Sequence, residues 1–269
     1  MLPRHLLSIP NLDALCKTAS RIFLGLDYDG TLVPIASCPE EARPTPDLYA
    51  LLSQLGQTPR IEVAIVSGRP LAELCTLLPV PGISYVGTHG LEMRTATGET
   101  RQLIPVGAFT TIMARLRRDI SPIVASDPGF LLEDKRYALA LHYRRAQPET
   151  SERGVAQFLA AVLGFQRKGV ALEVIHGKKV VEVRPVGVSK GKAVQCLLSH
   201  ESNTTLPFYL GDDATDEDAF RVVNDRGLTV LVADSPQRSA ARYYLRDPQE
   251  VFCFLSHLLN LRRTTEMVH

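Results

Sequence analysis

The sequence predicts an α/β fold: a parallel sheet covered by helices on both faces, interrupted by an inserted α+β module. Two observations lead there. Continuous apolar runs alternate with helix-like segments before residue 105 and again after residue 186, the pattern of strands buried on both faces. Between them lie alternating strands joined by tight turns, which indicate an antiparallel sheet with helices on one face. The predicted units are therefore 1–105 with 186–269, and 106–185.

Taken in order, "RIFLGLD" is a buried strand ending in acid. "TPDLYALLSQLGQ" places Leu48, Leu51, Leu52 and Leu55 at helical spacing, with Thr45 and Pro46 as cap and first turn. "RIEVAIVSGR" is a second strand, "PLAELCTLL" a short helix and "ISYVGTHG" a third strand. In the insert, "GAFTTIMARLRRDI" and "TSERGVAQFLAAVLGF" read as helices. "FLLEDKRYALALHYR" reads as a strand pair, and "ALEVIHGKKVVEVRP" as a hairpin turning near His176 and Gly177. The α/β style returns with the helix "SKGKAVQCLLSH" and the strands "PFYLGDD" and "GLTVLVA".

Side chains alternate across a strand, so the inserted sheet has two unlike faces. Leu139 and Leu141 share one with Tyr137 and Tyr143. His142 and Arg144 share the other with Ala138 and Ala140. Lys178, Val180 and Glu182 lie opposite Lys179, Val181 and Val183. A polar face of this kind is compatible with solvent or with a ligand.

Composition narrows the classes. Hydrophobic content is 45%, charged content 22% and formal net charge +1, which gives no ground for a nucleic-acid or membrane partner. Cys16, Cys38, Cys75, Cys196 and Cys253 are scattered without a C-x-x-C. They read as reduced thiols of a cytoplasmic protein. No run approaches a membrane span.

The chemistry sits at strand ends. Asp27 and Asp29 share one side of an extended backbone directly after a buried strand, and Gly30 and Thr31 end it. Carboxylates at the carboxyl edge of a parallel sheet can hold a hard cation such as Mg²⁺. "LGDDATDEDAF" gathers Asp212, Asp213, Asp216 and Glu217 at the same edge. A helix N-terminus explains the last two, but not Asp212. Ser67, Gly68 and Arg69 end another strand at a helix start, and Lys190 opens a helix behind Ser189. Both suit an oxyanion.

DxDGT, then Ser, then Lys, then GDDxxD resembles the haloacid-dehalogenase-like (HAD) phosphotransferases, over about residues 20–105 and 186–260. The resemblance implies a Rossmann-like core with the insert as its cap. It implies Asp27 as nucleophile, Asp29 as general acid and base, and Ser67 and Lys190 as phosphoryl ligands. Mg²⁺ would be held by Asp27, the backbone carbonyl of Asp29 and Asp212, with Asp213 or Asp216 in support.

"VSGR…GTHGLE", "EDKRYALALHYR", "GKKVVEVRP…SKG" and "LGDDATDEDAF", in this order, resemble the trehalose-6-phosphate phosphatases along nearly the whole chain. That implies Glu133, Lys135, Arg144, Lys178 and Glu182 as cap contacts to a small sugar phosphate. Arg69, His89 and Gly90 join them as candidate substrate residues, although a satisfied turn explains His89 equally well. Thr88 departs from the family, which more often has Asn or Val there. A phosphatase for glucosyl- or mannosyl-3-phosphoglycerate, or for sucrose phosphate, is the alternative. The expectation is a stand-alone, monomeric phosphatase without a fused glycosyltransferase.

Overall fold

The computed structural model describes residues 2–36, 39–103, 107–177, 179–202 and 204–266. They form two compact units, Met1–Leu103 with Ser189–His269, and Ile104–Val188.

In chain order the first unit begins with β1 (Arg4–His5), α1 (Leu12–Thr18), β2 (Arg21–Leu26), α2 (Pro46–Gln57), β3 (Ile61–Val66), α3 (Leu71–Leu77), β4 (Ser84–Gly87), β5 (Glu92–Arg94) and β6 (Thr100–Gln102). The second unit contributes α4 (Phe109–Ala125), β7 (Leu131–Asp134), β8 (Leu139–His142), α5 (Pro148–Gln166), β9 (Leu172–Gly177) and β10 (Val180–Pro185). The chain then returns to the first with α6 (Lys190–Ser199), β11 (Thr205–Gly211), α7 (Glu217–Val223), β12 (Leu228–Val232), β13 (Tyr243–Leu245) and α8 (Pro248–Glu266).

The large sheet runs β1-β13-β12-β11-β2-β3-β4-β5-β6 among the described residues. It is parallel from β1 to β4. Along β2, Ile22, Leu24 and Leu26 enter one core with apolar residues of α1, α2 and α8. Phe23 enters the opposite core with α6 and α7. This alternation explains why the whole strand reads as apolar. Each fully buried large side chain adds roughly 2 kcal/mol.

The helix starts follow the sequence signals. Thr45 Oγ1 accepts from Leu48 N at 3.2 Å, with Pro46 in the first turn. Ser189 Oγ accepts from Lys192 N at 3.2 Å, which fixes Lys190 as the first residue of α6. The antiparallel extension by β5 and β6 was not signalled, because three-residue strands carry too little pattern and Thr100–Gln102 is wholly polar and exposed.

In the second unit the sheet runs β7-β8-β10-β9 and is antiparallel throughout. Leu139, Leu141, Val181 and Val183 pack with Met113, Leu116 and Ile120 of α4 and Phe158 and Val162 of α5. Both helices therefore share one sheet face. Two details differ from the sequence reading. His176 and Gly177 belong to β9, and the turn follows them; Lys179 there has φ +68°. Lys178 lies outside the described residues. Strand β8 ends at His142, so Arg144 is not on its polar face. Ala146 N bonds Tyr143 O at 3.3 Å, closing a turn that leads to Pro148 at the start of α5.

Candidate active site

Asp27 follows β2 by one residue, and its N–H still bonds Leu210 O of β11 at 2.9 Å. The ladder thus aims its buried carboxylate. Tyr28 turns into the core, where its hydroxyl donates to Ala42 O at 2.9 Å. Gly30 has φ +87°, and a Cβ there would lie 2.3 Å from Asp212 Oδ2. Only glycine allows the first loop to approach the second acidic loop this closely.

Lys190 joins the acidic groups. Its Nζ donates to Asp27 Oδ1 at 2.7 Å and to Asp216 Oδ1 at 2.9 Å. Asp216 Oδ1 also accepts from the Tyr209 hydroxyl at 2.7 Å, while Oδ2 accepts from Asp212 N and Asp213 N, each at 3.2 Å. The four bonds to Asp216 run to a carboxylate that is fully buried. Asp216 is therefore a clamp for the loop, and it makes no side-chain cap on α7. Asp213 Oδ1 accepts from the Thr215 N–H at 2.7 Å and from its hydroxyl at 2.6 Å.

Charge and burial compete here. Burial pushes the Asp27 carboxyl well up; Lys190 opposes this, and Asp216, Asp212 and Asp213 add to it. Burial likewise raises Asp216 to about 6 against Lys190. Burial would lower the Lys190 ammonium, but Asp216 and Asp27 hold it well above its ordinary value. Burial would raise Asp213, yet Lys190, the Thr215 bonds and His89 hold it at about 2. Oxygens of Asp27, Asp212 and Asp216 lie within 4.8 Å of one another. A hard-oxygen donor set whose members repel one another fits Mg²⁺.

Ser67 follows β3 and is buried; its Oγ accepts from Arg69 N at 3.1 Å. The Arg69 side chain turns to Asp29. Nε donates to Oδ2 at 2.8 Å, Nη2 to Oδ1 at 2.7 Å, and Nη1 to Glu73 Oε1 at 2.5 Å. The guanidinium also lies over the Tyr28 ring, 5.4 Å from its centroid. Sequence reasoning put Arg69 among substrate contacts and missed the fork onto Asp29, which has no local spacing signal.

His89 and Gly90 sit in a loop where Thr88, His89 and Gly90 have φ of 48°, 55° and 107°. A β-branched residue at positive φ, as Thr88 is, is rare. The loop binds its neighbours closely. His89 N donates to Ser67 O at 3.0 Å. A Cβ at Gly68 would lie 2.5 Å from the His89 ring, and one at Gly90 would lie 2.4 Å from Ser189 O. These contacts link the Ser67 loop to the start of α6.

In the second unit, Glu133, Lys135, His142 and Glu182 form one network. Lys135 Nζ donates to Glu182 Oε2 at 2.7 Å and lies 3.8 Å from Glu133 Oε2. His142 Nε2 lies 2.9 Å from Glu133 Oε2. Burial would raise Glu133, but His142 and Lys135 outweigh it and lower its pKa. Lys135 and Glu182 side chains are only 9% and 8% exposed, so this is not a solvated sheet face. Arg184 is also buried, and its Nε donates to Glu173 Oε1 at 2.8 Å. Arg144 is exposed in its turn.

Comparison with known proteins gives concordant findings. Residues 25–249 match the family model described as trehalose-phosphatase. A trehalose-phosphate phosphatase of Mycobacterium marinum (strain ATCC BAA-535 / M) is 34% identical over 95% of this chain and 67% of its own, so this chain spans about two thirds of that relative. The C-terminal domain of a C. albicans trehalose-6-phosphate phosphatase is similar at TM-score 0.84 and 26% identity, covering 97% of this chain and 98% of that one. A haloacid dehalogenase-like hydrolase from Bacteroides thetaiotaomicron shares the fold at TM-score 0.62 and 14% identity, covering 89% and 100%.

Proposed function

Because the chain belongs to the trehalose-phosphatase family, we propose that it hydrolyses trehalose 6-phosphate to trehalose and phosphate. The observation that carries this is the buried Asp27 carboxylate, aimed from a strand end and held by Lys190 at 2.7 Å beside Asp212 and Asp216. Phosphoryl transfer needs mainly in-line positioning and charge neutralisation, and a fixed carboxylate beside a buried ammonium supports that reading.

In the proposed mechanism an Asp27 oxygen attacks phosphorus as the bond from phosphorus to the sugar oxygen breaks. Asp29 gives that oxygen its proton. Asp29 then takes a proton from water as the water oxygen attacks phosphorus, and the bond from phosphorus to Asp27 breaks. Ser67 and Lys190 hold the phosphoryl oxygens. Asp27, Asp212 and the backbone carbonyl of Asp29 would hold Mg²⁺, with Asp213 and Asp216 supporting the loop. When bound, Mg²⁺ neutralises charge on the phosphoryl group and among these carboxylates. Glu133, Lys135, Arg144, Lys178 and Glu182 are the proposed sugar contacts, with His89 and Gly90 beside the Ser67 loop.

Phosphate release from trehalose 6-phosphate, glucosyl-3-phosphoglycerate, sucrose 6-phosphate and glucose 6-phosphate tests this, with Mg²⁺ or chelator and with Asp27→Asn. Turnover confined to trehalose 6-phosphate, dependent on Mg²⁺ and Asp27, is expected. Preference for another ester would overturn the substrate and the cap contacts. No Asp27-dependent turnover of any ester would overturn the enzyme reading.

A further inference from the structure

Glu133 on β7 stands opposite Ala140 of β8, and Ala140 stands opposite Glu182 of β10. Two carboxylates thus flank a methyl group in one row across the sheet. Lys135 Nζ sits nearer to Glu182, 2.7 Å from its Oε2 against 3.8 Å from Glu133 Oε2. The ammonium therefore leaves the hydrogen bonding of Glu133 to another group.

That group is His142. Its register partners on either side are Leu131 and Val180, neither of which has a polar side chain. The ring reaches diagonally along the same sheet face instead, as long side chains can. Its Nε2 lies 2.9 Å from Glu133 Oε2. An ionised carboxylate only accepts, so Nε2 carries the hydrogen. This is the one hydrogen bond of the Glu133 side chain among the described residues. The other oxygen, Oε1, is not sealed from solvent. With Lys135, the His142 bond also outweighs burial and keeps the carboxyl ionised. Glu133 is thus held at one oxygen and open, as an acceptor, at the other.

We propose that His142 is a positioning residue for substrate recognition, holding Oε2 of Glu133 so that Oε1 meets a hydroxyl of the sugar. The proposal rests on the reading of Glu133 as a sugar contact. His142 acts through Glu133 and touches no part of the substrate. Without it, the carboxylate swings free and the hydroxyl loses an oriented acceptor.

Steady-state kinetics on trehalose 6-phosphate, or on whichever sugar phosphate the wild type turns over, test this with two opposite substitutions. His142→Phe keeps a ring between Leu131 and Val180 and removes the nitrogen. His142→Gln gives up the ring and keeps a donor at about the reach of Nε2. The His142 side chain is 32% exposed, so the fold tolerates both. His142→Phe is expected to raise KM roughly tenfold with kcat changed by less than about twofold, the pattern of binding lost equally in ground and transition states. His142→Gln restores most of that loss, whereas a packing role would favour Phe. Glu133→Ala raises KM at least as far, and adding His142→Phe to it changes KM by less than about twofold. A Phe variant with the wild-type KM, a Gln variant as poor as the Phe variant, a loss in kcat instead of KM, or additive losses in the double variant would each overturn the proposal and leave Glu133 as a sugar contact. An unchanged KM in Glu133→Ala overturns the sugar-contact reading and the proposal with it. A wild type inactive on every sugar phosphate overturns both together with the enzyme reading.

Discussion

Tyr209 on β11 occupies the space that a side chain at Gly25 on β2 would need: a Cβ there would lie 2.7 Å from Tyr209 Cδ2. The two residues are register partners in adjacent parallel strands. The missing side chain lets the tyrosine ring stand where its hydroxyl reaches Asp216. Tyr209→Phe keeps the ring and removes one donor from a buried carboxylate. Denaturant unfolding is expected to show a loss of about 1–2 kcal/mol. Kinetics are expected to show kcat lower by roughly tenfold, with KM unchanged.

Gly30→Ala places a methyl group against the Asp212 carboxylate at a φ of +87°. The left-handed backbone costs about 1–2 kcal/mol. The larger effect is displacement of Asp212, for which kcat falls on the order of 10²-fold and the Mg²⁺ concentration for half-activation rises. Metal titration of activity beside a thermal melt separates the two effects.

Lys135→Met removes the ammonium from a buried pair with Glu182. Breaking such a pair costs about 3 kcal/mol or more. Replacing both, as Lys135→Met with Glu182→Leu, is expected to recover most of that loss in a double-mutant cycle. Sugar-phosphate affinity is expected to fall in both variants; affinity that stays low where stability has recovered would separate a binding contribution from the structural one.

Glu62 carries a pH dependence far from the chemistry. Burial pushes its carboxyl up, hydrogen bonding and repulsion from Glu201 add, and Arg21 only partly opposes, leaving it at about 7 against an unfolded value of 4.5. Between those values the folded protein binds more protons than the unfolded chain. Stability therefore falls as pH rises from about 4.5 to 7. Thermal melts of wild type and Glu62→Gln from pH 5 to pH 8 are expected to converge or cross, with the wild type losing relative stability. Parallel curves would count against this assignment.

Much of this was written in one-dimensional pattern. Asp27 and Asp212 are legible because each ends an apolar run, and Lys190 because Ser189 caps the helix it opens. The two faces of the inserted sheet follow from alternation, and Leu139, Leu141, Val181 and Val183 fall on the helix side. What escaped depends on side-chain reach between distant loops. The Arg69 fork onto Asp29 and the Tyr209 bond to Asp216 leave no periodic trace. Arg144 was misplaced because the alternation was carried through Tyr143 past the strand's end at His142.

The sharing of the large sheet between two stretches of chain governs how the molecule comes off the ribosome. Strand β2 is flanked by β3 on one side and by β11 on the other, and Lys190 and Asp27 are 163 residues apart in sequence. A nascent chain that has emerged only through β10 already carries Asp27 and Ser67, but β2 is then an unsatisfied edge and its acid has no countercharge. The module from Ile104 to Val188 has its own hydrophobic core and can collapse while that edge waits. A chain ending before β11 leaves the β11-facing edge of the apolar strand β2 without its partner, and an unpaired apolar edge is a template for aggregation. Strand β2 gains its second neighbour, and Asp27 its Lys190 countercharge, only when the segment from Lys190 through β11 has been added.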